Sequence, residues 1–128
     1  MTKVFVNGTF DIIHPGHVSL LNYAKELGDF LLVAIDTDER VRKLKGLNRP
    51  INNQASRSFV LQNLKAVDEV VLFNDDKELL SFITQCDIMV KGSDYIGQNI
   101  IGFNLIKTVF YDRTEHSTTK IIEHIIDR

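Results

Sequence analysis

The sequence predicts an α/β protein: a doubly wound, mostly parallel five-stranded sheet with helices on both faces. Three observations predict it. Phe30 to Asp36, "FLLVAID", is a near-continuous apolar run of the kind found in strands buried on both faces. Strand patterns alternate along the chain with amphipathic helical patterns, the order that builds a parallel sheet by crossover connections. The 128 residues, 44% of them apolar, are enough for one hydrophobic core and are expected to form one domain, 1–128. In chain order, Lys3 to Asn7 alternates as a first strand and meets Gly8. A helix follows over His17 to Leu27, with Leu20, Leu21, Ala24 and Leu27 on one stripe and Gly28 at the C′ position. After the Phe30–Asp36 strand, a second helical pattern runs from Ala55 to Ala66 with Phe59, Val60, Leu64 and Val67 as its apolar face. "EVVLF" (Glu69 to Phe73) is a strand, Lys77 to Gln85 a helix through Leu79, Leu80, Phe82 and Ile83, and "DIMVKG" (Asp87 to Gly92) and "TVFYD" (Thr108 to Asp112) are strands. A last helix, Thr118 to Asp127, is expected behind Ser117 as N-cap.

Charge and composition narrow the function. Fifteen basic against seventeen acidic residues give no overall electrostatic case for nucleic acid, so any anion must be met by a local cluster of positive groups. Cys86 is the only cysteine, which excludes an internal disulfide and fits a reducing compartment. The first residues lack a signal-peptide h-region and no apolar run approaches ~18 residues, so a cytoplasmic protein without membrane contact is expected.

Ligands of doubly wound sheets sit beyond the carboxyl ends of the strands, where strand order reverses. At the first such end stands "VNGTFDIIHPGH", with His14 and His17 flanking a Pro15–Gly16 bend. Gly8 would let a ligand approach the backbone, and the N–H groups of the helix opened by His17 would favour phosphate. Two imidazoles there can donate to phosphate oxygens as charge builds in a transition state. Taken alone, an H-x-x-H pair also fits ordinary turn histidines. A zinc site lacks further ligands, so no metal ligands are assigned.

"GTFDIIHPGH" resembles the signature of the cytidylyltransferase-like nucleotidyltransferases, whose fold is Rossmann-like. The resemblance implies that Gly8, Thr9, Phe10 and Gly16 line the nucleotide, that His14 and His17 act at the α-phosphate, and that Asp11 lies toward the acceptor. It extends along the chain. "AIDTDE" is similar to the family's acidic segment at Asp38, and "VRKLKGLNRPINNQASR" reads as a loop carrying Lys43, Lys45, Arg49 and Arg57. Lys45 before Gly46 is similar to the family's phosphate-binding lysine, which implies a catalytic role. Asp38, Lys43 and Arg57 are implied at the acceptor. "VKGSDY" places Lys91, Gly92 and Asp94 beside the nucleotide, and "RTEHSTTK" adds Arg113, Thr114, Ser117, Thr118 and Thr119 for the leaving pyrophosphate. Tyr95, Gln98 and Asn99 are further polar candidates for a sugar.

Two branches of the family fit. "RTE" before "STTK" is similar to glycerol-3-phosphate cytidylyltransferase, with a loop one residue shorter. "KLKGLNRPIN", "AVDEVVLF" and "VKGSDYIGQNIIG" are similar to the adenylyltransferase domain of bifunctional heptose-phosphate enzymes. Three segments outweigh one tripeptide. The expected reaction is transfer of a nucleoside monophosphate from ATP or CTP to a sugar 1-phosphate. Mg2+ would come with the nucleotide, and the family resemblance implies a homodimer. A polyol phosphate acceptor and a non-catalytic nucleotide sensor stand as alternatives.

Overall fold

Five strands of the computed structural model pair side by side, every pairing parallel, in the order β3-β2-β1-β4-β5. The structure describes residues 1–112. Its elements are β1 (Lys3–Gly8), α1 (Pro15–Glu26), β2 (Phe30–Asp36), α2 (Asp38–Lys45), α3 (Gln54–Gln62), β3 (Glu69–Phe73), α4 (Asp76–Ile83), β4 (Ile88–Gly92), a 3₁₀ turn at Ser93–Tyr95 and β5 (Lys107–Tyr111). The predicted strands and their order along the chain hold, and the sheet is parallel throughout the described residues. The expected helix over Thr118–Asp127 lies outside them.

Strand alternation splits the core in two. On one face Val4, Val6, Leu31, Val33, Ile35 and Val90 pack against Leu20, Leu21 and Ala24 of α1 and Leu61 of α3. On the other, Phe5, Leu32, Ala34, Phe73 and Met89 pack against Leu79 and Ile83 of α4, with Ile100 and Ile106 beside them. Sheet growth runs one way from β1 through β2 to β3 and the other way from β4 to β5, so connecting segments fall on opposite faces and the order reverses at β1 and β4.

Two helical regions differ most from their sequence expectation. Residues 41–45, expected in a loop, belong to α2. Thr37 caps it by accepting from the Arg40 N–H at 3.2 Å, Asp38 and Glu39 stand in the first turn, and Arg42, Lys43 and Lys45 in the last. That charge order complements the helix dipole, while Val41 is its one buried residue, so no apolar stripe marks it. The second predicted helix ends at Gln62 instead of Ala66, and its buried residues are Arg57 and Leu61. Phe59, at 67% exposure, and Val60 face outward, because a polar side chain takes the place an apolar stripe was expected to hold.

Gly28 follows the Leu27 C-cap of α1, but conformational freedom is not what it supplies. A Cβ there would stand 2.6 Å from the Thr2 carbonyl oxygen and 2.9 Å from Val4 Cγ2, so the glycine lets the chain pass tightly under the start of β1. The same edge is tied by carboxylates: Asp29, Asp87 and Asp68 accept from the backbone N–H of Thr2, Lys3 and Leu31. We expect Gly28→Ala to destabilise the fold by about 1–3 kcal/mol through forced backbone movement, read as a lower urea midpoint with unchanged m. An unchanged midpoint would show that this edge yields freely.

Candidate active site

Where β1 gives way to α1, the two histidines cap the helix reciprocally. His14 is the N-cap and Pro15 occupies the first helical position, which its fixed φ suits. The His14 Nδ1 accepts from the Gly16 N–H at 3.1 Å, and the His14 N–H donates to the His17 Nδ1 at 3.2 Å. The helix therefore starts two residues before His17, which lies in its first turn. The rings stack with centroids 3.8 Å apart, both nearly buried at 5% and 8% exposure. With each Nδ1 accepting, the ring proton is placed on Nε2, the donor form needed for contact with a phosphate oxygen.

Phe10 carries the strain of this turn. Its φ is +52°, the one left-handed non-glycine residue among those described, and its ring lies 5.1 Å from that of His17. A Cβ on Gly8 would meet the Phe10 ring at 3.1 Å. The glycine therefore also serves the turn, leaving room for the Phe10 ring.

Beyond the carboxyl ends of β1, β2 and β4 lies a cavity of about 520 Å³. Gly8, Thr9, Phe10, Asp11, His17, Lys45, Lys91, Gly92 and Asp94 line it, together with Tyr95 and Asn99. Residues widely separated in sequence thus converge on one volume. His14 stacks against His17, and Gly16 contributes its N–H to that cap; neither is part of the lining. Asp11 is pinned: its carboxylate accepts from the N–H groups of Ile51 and Asn52, both at 2.8 Å, holding the loop 46–53 against the site. Burial lowers the pKa of Lys45, reinforced by Arg49 and opposed by Asp36 and Asp11.

Three residues expected at the acceptor stand elsewhere. Lys43 is exposed and pairs with Glu39 at 3.3 Å, the ordinary place of an i,i+4 cation on a helix surface. Asp38 lines a separate open groove with Thr37 and Asn53, and its carboxylate accepts from Arg57 at 2.8 Å. Arg57 is 1% exposed; its guanidinium donates to the carbonyl oxygens of Asn52 (3.0 Å), Thr9 (2.9 Å) and Asp36 (2.8 Å) as well as to Asp38. It clamps the walls of the site from beneath instead of meeting a ligand. Gln98 turns back to donate to the Asp94 carbonyl at 2.8 Å. Arg113, Thr114, Ser117, Thr118 and Thr119 lie outside the described residues.

Sequence reading missed Asn7, Asp36 and Arg40, which also line the cavity. Arg40 Nε donates to Asp36 at 3.0 Å and Nη2 to Asp76 at 2.9 Å, with the guanidinium 5.0 Å over the Phe73 ring. The available signal was a carboxylate ending a buried strand with a cation four residues on, overshadowed by Asp38.

Removing the Arg57 side chain would leave Asp38 and three carbonyls without their donor. We expect Arg57→Ala to cost about 3 kcal/mol or more in urea unfolding, with Arg57→Lys recovering little because one ammonium cannot span the four acceptors. Near-native stability of the alanine variant would contradict the clamp.

Comparison with known proteins agrees with this geometry. Residues 5–124 match the family model described as cytidylyltransferase-like. The chain is 48% identical over 126 residues to the bifunctional protein HldE of a Nitratiruptor species, covering 95% of this chain and 27% of that protein. It is 48% identical over 128 residues to HldE of Campylobacter concisus, covering 97% and 27%. The chain thus spans about a quarter of the length of these relatives. Its structure is similar to that of the lipopolysaccharide core biosynthesis protein from Thermoplasma volcanium, with a TM-score of 0.75 and 28% identity over 90% of this chain and 99% of that one. Thermotoga maritima TmcAL, solved with α-thio ATP, shares the fold at a TM-score of 0.72 and 12% identity, over 99% of this chain and half of that one. The chain belongs to the cytidylyltransferase-like family of nucleotidyltransferases.

Proposed function

We propose that the chain transfers a nucleoside monophosphate from ATP or CTP to a sugar 1-phosphate such as heptose 1-phosphate, releasing pyrophosphate. The observation that carries this reading is the reciprocal histidine cap, which sets two Nε2–H imidazoles at a helix N-terminus beside a cavity bordered by Lys45 and Lys91. Similarity to HldE and to a lipopolysaccharide core biosynthesis protein, beside the three segments similar to heptose-phosphate enzymes, supports a sugar phosphate acceptor over a polyol phosphate.

In the proposed mechanism an acceptor phosphate oxygen attacks the α-phosphorus in line. The new P–O bond forms as the bond to the bridging oxygen of the β-phosphate breaks, and that oxygen leaves with its electron pair on pyrophosphate. A phosphate dianion is already nucleophilic, so the chain's task is positioning and charge stabilisation. His14 and His17 act at the α-phosphate, most strongly where its oxygens gain charge in the transition state. Lys45 and Lys91 meet phosphate oxygens, and Gly92 and Asp94 border the nucleoside. Arg113, Thr114 and Ser117 to Thr119 are assigned to the pyrophosphate by resemblance. Among the described residues no cluster of three His, Cys, Asp or Glu side chains is arranged to hold a metal. We assign Mg2+ to the nucleotide substrate, carried by its phosphate oxygens. No described helix is long and apolar enough to cross a membrane. We assign the reaction to a homodimer in the cytoplasm.

The test is pyrophosphate release with Mg2+, crossing four nucleoside triphosphates against heptose 1-phosphate, glycerol 3-phosphate and other sugar phosphates. Release with ATP and a sugar 1-phosphate is expected, and His17→Ala should lower kcat about 100-fold or more. Release only with CTP and glycerol 3-phosphate would move the chain to the polyol branch. Nucleotide binding with no release from any pair would make it a sensor.

A further inference from the structure

Charge is unevenly matched in the cavity. Its carboxylates among the described residues are Asp11, Asp36 and Asp94, of which Asp11 is engaged by two backbone N–H groups and Asp36 by Arg40. Lys45 and Lys91 line the same cavity, and neither forms an ion pair among the described residues. Lys91 is the more confined. The β1–β4 register, Val4 beside Ile88 and Phe5 beside Met89, sets Asn7 beside Lys91 when continued two residues on. Lys91 Nζ donates to Asn7 Oδ1 at 2.8 Å and stands 4.9 Å from the centre of the Tyr95 ring. Its hydrogen-bond acceptor is therefore a neutral amide, and no carboxylate among the described residues neutralises it at contact.

We propose that a phosphate group entering this cavity brings a net proton with it, taken up by Lys91, so that nucleotide binding above neutral pH is a proton-uptake reaction. The inference rests on the reading that the cavity binds a nucleoside triphosphate. The free amine takes the proton from buffer acid and becomes the ammonium that meets the phosphate oxygens. Burial disfavours the ammonium, Asp36 and Asp94 favour it, and burial wins, pushing the pKa of Lys91 down to about 8. Among the described residues the other charged or titratable groups around the cavity are Asp11, His17, Arg40, Lys45 and Tyr95; α4 contributes uncharged Leu79, and β5 sets uncharged Phe110 beside Lys91. A phosphate dianion at contact reverses the balance by restoring the missing counter-charge. The sign follows: about half of the molecules gain a proton on binding at pH 8, and almost none at pH 6, where Lys91 is already charged.

The test is isothermal titration of the full chain at pH 8 with the magnesium complexes of α,β-methylene ATP and CTP, in Tris and in HEPES. Their different ionisation enthalpies reveal proton exchange. We expect uptake of about half a proton, falling by more than half in Lys91→Arg, whose guanidinium never deprotonates. Binding without uptake, or uptake undiminished in Lys91→Arg, would overturn the inference and leave the nucleotide reading standing. Failure of both analogues to bind would bring down the nucleotide reading itself. Should the variant not fold, lysine ¹³Cε resonances of the unmodified chain give the same answer. One should titrate near pH 8 without nucleotide and near the usual ~10.4 or above with it. All lysines titrating in the usual range without nucleotide would overturn the inference.

Discussion

The buried guanidinium of Arg57 is the constraint on which the site depends. It joins three stretches of chain that have no reason of their own to stay together: the β1–α1 turn through Thr9, the β2–α2 junction through Asp36 and Asp38, and the loop 46–53 through Asn52. A cation so deeply buried is tolerable only because its donors meet acceptors of suitable geometry. Asp11 repeats the device with the opposite charge, accepting from Ile51 and Asn52 while the Asn52 amide donates back to the Asp11 carbonyl at 2.7 Å. The walls of the cavity are consequently held from beneath, and Lys45 reaches it from the end of a helix whose start is fixed by the same clamp.

Sheet topology places everything else. All described strands run in one direction, and their carboxyl ends lie on one side. Reversal of order at β1 and β4 opens the crevice there. Along that edge the alternation that put Phe5, Ala34 and Met89 in the core puts Asn7, Asp36 and Lys91 two residues further on, where the core ends and the cavity begins. The polar floor is thus the continuation of the same strand faces that form the apolar core.

Much of this was readable from residues alone, for identifiable reasons. Strands buried on both faces announce themselves as apolar runs, and the histidine pair, the Lys45–Gly46 step and the Lys91–Asp94 segment each occupy a short stretch ending or following a regular element. Features that depend on distant partners were not readable. Nothing in "QASR" distinguishes an arginine meeting a ligand from one buried under four acceptors, since those acceptors lie up to 48 residues away. Gly8 and Gly28 were visible as glycines, but the atoms that require them, the Phe10 ring and the Thr2 carbonyl, are set by the fold. Helix α2 escaped because capping and charge order, not an apolar stripe, define it.

If the histidine cap and the cavity above β1 and β4 form one phosphate-binding site, a crystal structure with the magnesium complex of α,β-methylene ATP or CTP will show it. The α-phosphate is expected within hydrogen-bond distance of the His17 Nε2, and the phosphate chain in the cavity with Lys45 and Lys91. A nucleotide seated instead in the open groove by Asp38 and Asn53, with the histidines untouched, would contradict a single shared site.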